Sequence, residues 1–294
     1  MTITISSRPR SLAFFFALSF GITWMVWVPQ ALASSGIISF PLDPGFTDWL
    51  GVFGPFLAAL IMTGLYDGRA GIRGLFKRLL KWRVGVQWYL FVLFWPPLLS
   101  LAKTAIAMLL GSGAPDFSQP PFVRLSPLPP ELLKSLPFLV FLPFLFFQQT
   151  LIGSSMGEEI GWRGYALPRL QTIQGNLRGS ILLGILWGIW HLPLWMTKGN
   201  AMQGKILLWP LLELIATSVL FTWVYNNTKG SLLLALLFHT SIAMTSLFLS
   251  SLETYPIVSV ILSWMIAGLI IYRSRKALSP LAVGAQDHST LAPF

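Results

Sequence analysis

The chain contains no cysteine. Disulfides, thiolate metal centres and cysteine nucleophiles are therefore excluded. Charge is nearly as scarce: 10% of the 294 residues are Asp, Glu, Lys or Arg, against about 25% in a typical soluble domain. Acids are the rarer sign, 10 in all beside 20 Lys and Arg, with 3 His. Apolar residues fill the space instead, at 54% of the chain, with 13 Trp and 22 Phe among them. A soluble fold of this size cannot hide that much apolar surface from water, whereas hydrocarbon receives it. The composition predicts an all-α polytopic membrane protein, with its large aromatics at lipid-facing and interfacial positions.

A net charge of +10 would raise nucleic acid as a partner for a soluble protein. Here the cations sit in short loops between apolar runs. Topology explains them, and no nucleic-acid partner is expected.

A spanning helix needs about 20 mostly apolar residues. Such runs fall near 11–33, 47–65, 87–111, 134–153, 179–197, 206–225, 231–249 and 256–272. They are long and lack strand alternation, so they read as helices and not as barrel strands. The first is too long for a signal-peptide core and is read as a retained span. With the N-terminus inside, the inner segments hold Arg8 and Arg10, then Arg69, Arg73, Lys77, Arg78, Lys81 and Arg83, then Arg163, Arg169 and Arg178, then Lys229, then Arg273, Arg275 and Lys276. That is 15 of the 20 basic residues; Lys103, Arg124, Lys134, Lys198 and Lys205 fall outside. The split predicts about eight transmembrane helices with both termini cytoplasmic. It implies a single transmembrane domain over residues 1–294 in the cell membrane, of bacterial inner-membrane type.

Arg69 to Arg83 is basic and apolar at helical spacing. It reads either as an interfacial helix on an anionic leaflet or as a plain positive-inside anchor. Residues 112–133 form the one substantial outer loop, and 278–294 a polar, disordered tail carrying His288, to which no role is assigned. The absence of an internal repeat disfavours repeat-built transporters.

Ionisable groups within hydrocarbon cost about 2.5–3.5 kcal/mol each, so each needs a reason. The first cluster, GEEIGWRGYALPRL, holds Glu158, Glu159 and Arg163 at the inner end of the fourth span. Glu159 and Arg163, four apart, share a helix face and can neutralise each other. Glu158 points about 100° away and keeps its charge, as a general base requires. The plain alternative is a charge cluster at a helix end. The second, WGIWHLPLW, puts His191 well into the fifth span, with Pro193 loosening the backbone and freeing a carbonyl. The plain alternative is a neutral His bonding that carbonyl or packing on Trp187 and Trp195. The third, LALLFHTSIAMT, puts His239 into the seventh span, where it could also be a simply satisfied His. Together one Glu and two His on three spans define a polar pocket. Such a set polarises a water for attack on a carbonyl, or holds Zn²⁺ with an open position. Both routes are hydrolytic.

These three motifs, in this order, resemble the CPBP intramembrane protease family, also called the ABI family, which contains the type II CAAX prenyl endopeptidases. The motifs are Glu158-Glu159-x-x-x-Arg163, Trp187-x-x-x-His191, and His239 in a later span. GYALPRL after the first motif and FGPFLAALI in the second span are also similar, so the likeness runs from about residue 50 to 250. The resemblance implies that Glu158 activates the attacking water and that His191 holds or polarises it. It gives His239 the oxyanion or the orientation of the water, and makes Glu159, Arg163 and Trp187 structural support. It implies a glutamate-dependent endopeptidase needing no cofactor, with zinc on Glu158, His191 and His239 as the alternative. The expected partners are the lipid bilayer and a membrane-associated peptide or protein substrate, of which a prenylated CAAX-type C-terminus is one form. Two positions depart from the family pattern. Trp187 stands where Phe is usual, and Ala243 where Asn or Asp follows the last His by four. Thr240, Ser241 or Thr245 are the candidates to replace that hydrogen bond, Thr240 and Thr245 lying nearer the face. Ala243 leaves open a lapsed family member that binds a peptide or membrane partner, of secretion or immunity type. A small proton-coupled transporter is the third reading.

Overall fold

In the computed structural model the described residues are 9–116, 120–125, 129–135, 137–200, 202–249 and 255–273. The expected tail 278–294 with His288, and the cations Arg8, Arg275 and Lys276, lie outside them. Among the described residues there is no strand. The helices are α1 Pro9–Ser34, α2 Pro44–Gly51, α3 Gly54–Lys77, α4 Val86–Leu109, α5 Pro121–Leu125, α6 Pro130–Ser135, α7 Phe138–Leu151, α8 Ser154–Gly161, α9 Leu167–Gln174, α10 Asn176–Trp190, α11 Leu192–Met196, α12 Leu208–Asn227, α13 Leu232–Phe248 and α14 Pro256–Arg273. Among the described residues, six stretches are long and apolar enough to cross a membrane: Pro9–Ser34, Pro44–Leu80, Val86–Leu109, Asn176–Met196, Leu208–Asn227 and Pro256–Arg273. The protein is an all-helical, multi-pass membrane protein. The remaining two apolar runs form shorter helices, of 17 residues in α13 and 14 in α7.

Helix α1 shows the packing logic. Ser11, Phe15, Ser19, Thr23, Trp27 and Ala31 recur every four residues and are buried, while Phe14 and Met25 are exposed. The buried stripe combines small and polar groups with the Phe15 and Trp27 rings, and Phe14 and Met25 are left to the lipid side. Thr23 Oγ1 donates to the Gly51 carbonyl at 2.8 Å, and Trp27 Nε1 to Thr47 O at 3.2 Å. Helix α2 begins with Pro44 behind Asp43, whose carboxylate accepts from Phe46 N at 2.9 Å, a side-chain cap on an otherwise orphan donor. Helix α3 bends at Gly68, where φ is +62°, a conformation open mainly to glycine. The amphipathic segment expected at 69–83 starts at this bend as its own helical piece, ending in a short 3₁₀ turn at Arg78–Leu80.

The fourth apolar run departs from the sequence reading, which carries the first motif on the inner end of one continuous span. Helix α7 instead stops at Leu151, Gly153 is extended (φ −101°, ψ −163°), and α8 starts afresh at Ser154. The break re-aims the motif. Gly157 and Gly161 then lay α8 directly on the start of α3: a Cβ at Gly157 would stand 2.7 Å from Val52 O, and one at Gly161 2.6 Å from Pro55 O. Two glycines four apart permit that backbone approach, and Glu158 and Glu159, between them in sequence, are turned to other faces.

Three basic segments meet at one end of the bundle. Arg78 Nη2 donates to Gly164 O at 2.6 Å, and Lys81 Nζ to Lys229 O at 2.6 Å. Arg169 Nη2 pairs with Asp67 Oδ2 at 2.6 Å, just before the bend in α3. Elsewhere Lys103 of α4 is ion-paired with Glu213 of α12, and Tyr255 donates to Leu110 O at 3.0 Å.

Candidate active site

Glu158, Glu159 and Arg163 are all buried, Glu159 and Arg163 completely. Glu158 leaves α8 toward α10. Its Oε2 accepts from Trp187 Nε1 at 2.6 Å and more weakly from Trp162 Nε1 at 3.4 Å. Its Oε1 lies 3.9 Å from His239 Nε2, beyond hydrogen-bond range but close enough for one molecule to touch both. Glu159 turns the other way round the helix. Its Oε1 accepts from Arg163 Nη1 at 3.0 Å and from His239 Nδ1 at 2.7 Å. Because a carboxylate only accepts, that bond puts the proton of a neutral His239 on Nδ1 and turns Nε2 toward Glu158. Glu159 therefore orients His239 as well as neutralising Arg163.

The Arg163 guanidinium lies over the Phe221 ring at 3.9 Å and the Trp187 ring at 4.7 Å, so aromatic faces stabilise its charge where water does not reach. Its residue sits in a π-helical turn, Trp162–Ala166. Such turns are rare and recur at functional sites, because one extra residue rotates the chain on either side of it. Trp162 and Arg163 gain their inward direction here.

His191 terminates α10. Its amide donates to Gly188 O at 3.1 Å instead of closing the regular turn to Trp187. The Trp187 carbonyl so released bonds His191 Nδ1 at 2.8 Å. The ring packs against Trp190 at 4.7 Å between centroids and against Trp195 at 6.3 Å. The plain alternative for this residue, a carbonyl-bonded and aromatic-packed His, describes its Nδ1 side. The His239 ring lies within electrostatic reach of the Glu158 carboxylate, 3.9 Å from Nε2 to Oε1. The structure thus brings all six expected residues into one buried group, with Trp187 at its centre: the Trp187 ring centroid is 6.0 Å from that of each His.

The three hydroxyls considered in place of the Ala243 side chain are directed elsewhere. Thr240 Oγ1 bonds Thr150 Oγ1 at 2.9 Å and Ser155 Oγ at 2.8 Å. Ser241 donates to Leu93 O at 2.8 Å. Thr245 lines a separate cavity of about 140 Å³ beside Lys103 and Glu213. The hydroxyl at the site is Ser154, whose Oγ is 3.4 Å from His239 Nε2 and accepts from Gln149 Nε2 at 3.1 Å. Ser154 was not expected. Neither were the indole donors of Trp162 and Trp187. An N–H signal was present in the Trp-for-Phe departure at 187, but its direction depends on how α8 and α10 are rotated.

Among the described residues no group of three His, Asp or Glu side chains is placed to hold an ion.

A family model for the type II CAAX prenyl endopeptidases, Rce1-like, matches residues 137–245, a stretch holding all three motifs. A protein named CAAX prenyl protease 2 from Methanococcus maripaludis is 24% identical over 286 residues, covering 92% of this chain and 97% of the relative. The family resemblance drawn from the motifs is thereby shown, and it supports a membrane protease acting on a membrane-associated peptide or protein.

Proposed function

We propose that this relative of the type II CAAX prenyl endopeptidases is a glutamate-dependent intramembrane endopeptidase of the cell membrane, with Glu158 as its base. The observation that supports this most is the pairing of Glu158 Oε1 with His239 Nε2 across 3.9 Å. A water about 2.8 Å from each atom completes a triangle of ordinary hydrogen bonds. Glu158 takes one proton from that water, and the oxygen adds to the scissile carbonyl carbon. His239, held through Nδ1 by Glu159, orients the water, and His191 lines the other side. When the tetrahedral intermediate collapses, the C–N bond breaks and Glu158 returns its proton to the departing amine. One water is consumed, and a carboxylate and an amine are released. Low polarity around the site strengthens each of these interactions.

The substrate proposed is a lipid-linked C-terminal peptide of the prenylated CAAX type. The buried site requires a segment delivered from within the bilayer, which a lipid anchor achieves. The reaction proposed needs no metal. Purified protein in lipid is offered a panel of lipidated and transmembrane peptides, with and without a chelator. Wild type is expected to cleave a lipidated peptide, equally in chelator, and Glu158→Gln to lose cleavage while keeping its yield. Cleavage surviving in Glu158→Gln removes Glu158 as base, and loss of wild-type cleavage in chelator that zinc restores removes the metal-free reaction.

A further inference from the structure

We propose that the turns 81–85 and 227–229 form a binding cradle for the phosphate-bearing headgroup of an anionic phospholipid. The turns close two helix pairs, α3 to α4 and α12 to α13, at the basic end of the bundle. Between them lies a recess of about 610 Å³ lined by Leu80, Lys81, Trp82, Arg83, Lys229 and neighbouring backbone, and no acid contributes to its wall among the described residues.

Among the described residues the cations here have found only neutral acceptors. Lys81 Nζ donates to Lys229 O at 2.6 Å. Arg78, behind the recess, donates to Tyr225 Oη at 2.8 Å and Gly164 O at 2.6 Å. The Arg83 guanidinium lies over the Trp82 ring at 5.1 Å. Burial and then the charges of Arg78 and Lys229 hold the Lys81 ammonium below the ordinary lysine range. Concentrated positive charge without a counter-charge is stabilised by an anion. The backbone is committed to this arrangement as well. Lys229 takes φ +54°, rare for a side chain of its kind, and Ser231 Oγ ties the second turn to Lys81 O at 2.7 Å.

The rim decides which anion. Leu80 is 75% and Trp82 59% exposed, an apolar lip beside a cationic floor. Free phosphate uses only the floor, whereas a phospholipid places its headgroup on the cations and its chains against Leu80 and Trp82. Basic pockets at helix ends and interfacial Trp residues suit that ligand.

The test compares protein reconstituted in phosphatidylcholine vesicles with and without phosphatidylglycerol, counting lipid retained after extraction by mass spectrometry. Wild type is expected to retain phosphatidylglycerol over phosphatidylcholine. Lys81→Gln with Lys229→Gln is expected to weaken that retention on the order of thirtyfold, for two cations removed at the surface. Arg178→Gln, on an exposed basic residue outside the cradle, should retain as wild type does. Should the double variant fail to accumulate, Arg83→Gln, whose guanidinium lies over the Trp82 ring at the rim, should weaken retention by about fivefold, for one cation removed. Equal retention of the two lipids by wild type, or undiminished retention by the cradle variant, overturns the proposal. Complete displacement of phosphatidylglycerol by millimolar inorganic phosphate also overturns it, because the site would then be one for free phosphate.

Discussion

Trp187 and Arg163 sit on the same aromatic wall, yet their replacement should fail differently. Trp187→Phe keeps a ring against Arg163 and the two His but removes the 2.6 Å donor to Glu158. A hydrogen bond to a charged group is worth about 1.5–3 kcal/mol, so the variant should accumulate normally and cleave on the order of tenfold or more slowly. An unchanged rate would show that the indole does not hold the carboxylate during turnover. Arg163→Gln leaves the fully buried Glu159 carboxylate without its cation, with the His239 Nδ1 bond left to offset its charge, and removing one partner of a buried pair costs about 3–5 kcal/mol. It should show up as lost yield and lower thermal stability; normal yield with no cleavage would place Arg163 in the chemistry itself. At this scale the sequence was partly readable. The spacing of Glu159 and Arg163 gave their pairing, but a single helix face could not reveal that Glu159 also holds His239 Nδ1, since that bond joins residues 80 positions apart. Ser154 was hidden for the same reason.

Helix α8 is where local pattern and tertiary packing part company. Hydrophobicity runs through residues 134–153 and predicts one span leading into the motif. The chain breaks at Gly153 because α8 must lie flat on α3, and that demand comes from Gly157 and Gly161, whose meaning depends on which helix they meet. Pro193 acted as its chemistry requires: α10 ends just before His191 and the freed Trp187 carbonyl is recovered by the His ring. The π turn at Trp162–Ala166 has no local signature, being an insertion of register visible only once both of its ends are docked. Gly161→Ala tests the docking. The new methyl would stand 2.5 Å from Pro55 Cβ and 2.6 Å from Pro55 O, so α8 must move away from α3. Overpacking of this kind costs about 1–3 kcal/mol. The variant should unfold at lower temperature and lose cleavage beyond its loss of folded protein, because Glu158 and Glu159 move with the helix. If it matches wild type in both measurements, the glycine contact does not position the site.

At the scale of the whole molecule, the bilayer made the fold readable. Each of the eight apolar runs seen in the sequence contains a helix, since a chain in hydrocarbon has to satisfy its backbone within the segment. Six of those stretches meet the length and composition of a span; α7 and α13, at 14 and 17 residues, are shorter. The rotation of each helix about its own axis was not readable, because lipid and protein interior are both apolar and the pattern of a helix such as α10 barely distinguishes its faces. Polar pairs fix those rotations. Lys103 and Glu213 join α4 to α12, as Trp88 and Phe91 do through the Trp223 ring, and neither charge has another described ion-pair partner, so the pair is a candidate for setting how these helices face each other. Lys103→Leu or Glu213→Leu alone leaves one charge among apolar helices and should lower yield and thermal stability. Exchanging them, Lys103→Glu with Glu213→Lys, restores the attraction with the same net charge and should recover most of the loss. Recovery measures a direct coupling between the two helices. Additive losses in the exchanged variant would instead mean that each residue acts through the cavity it lines, and that the orientation of α4 on α12 is set by side-chain shape.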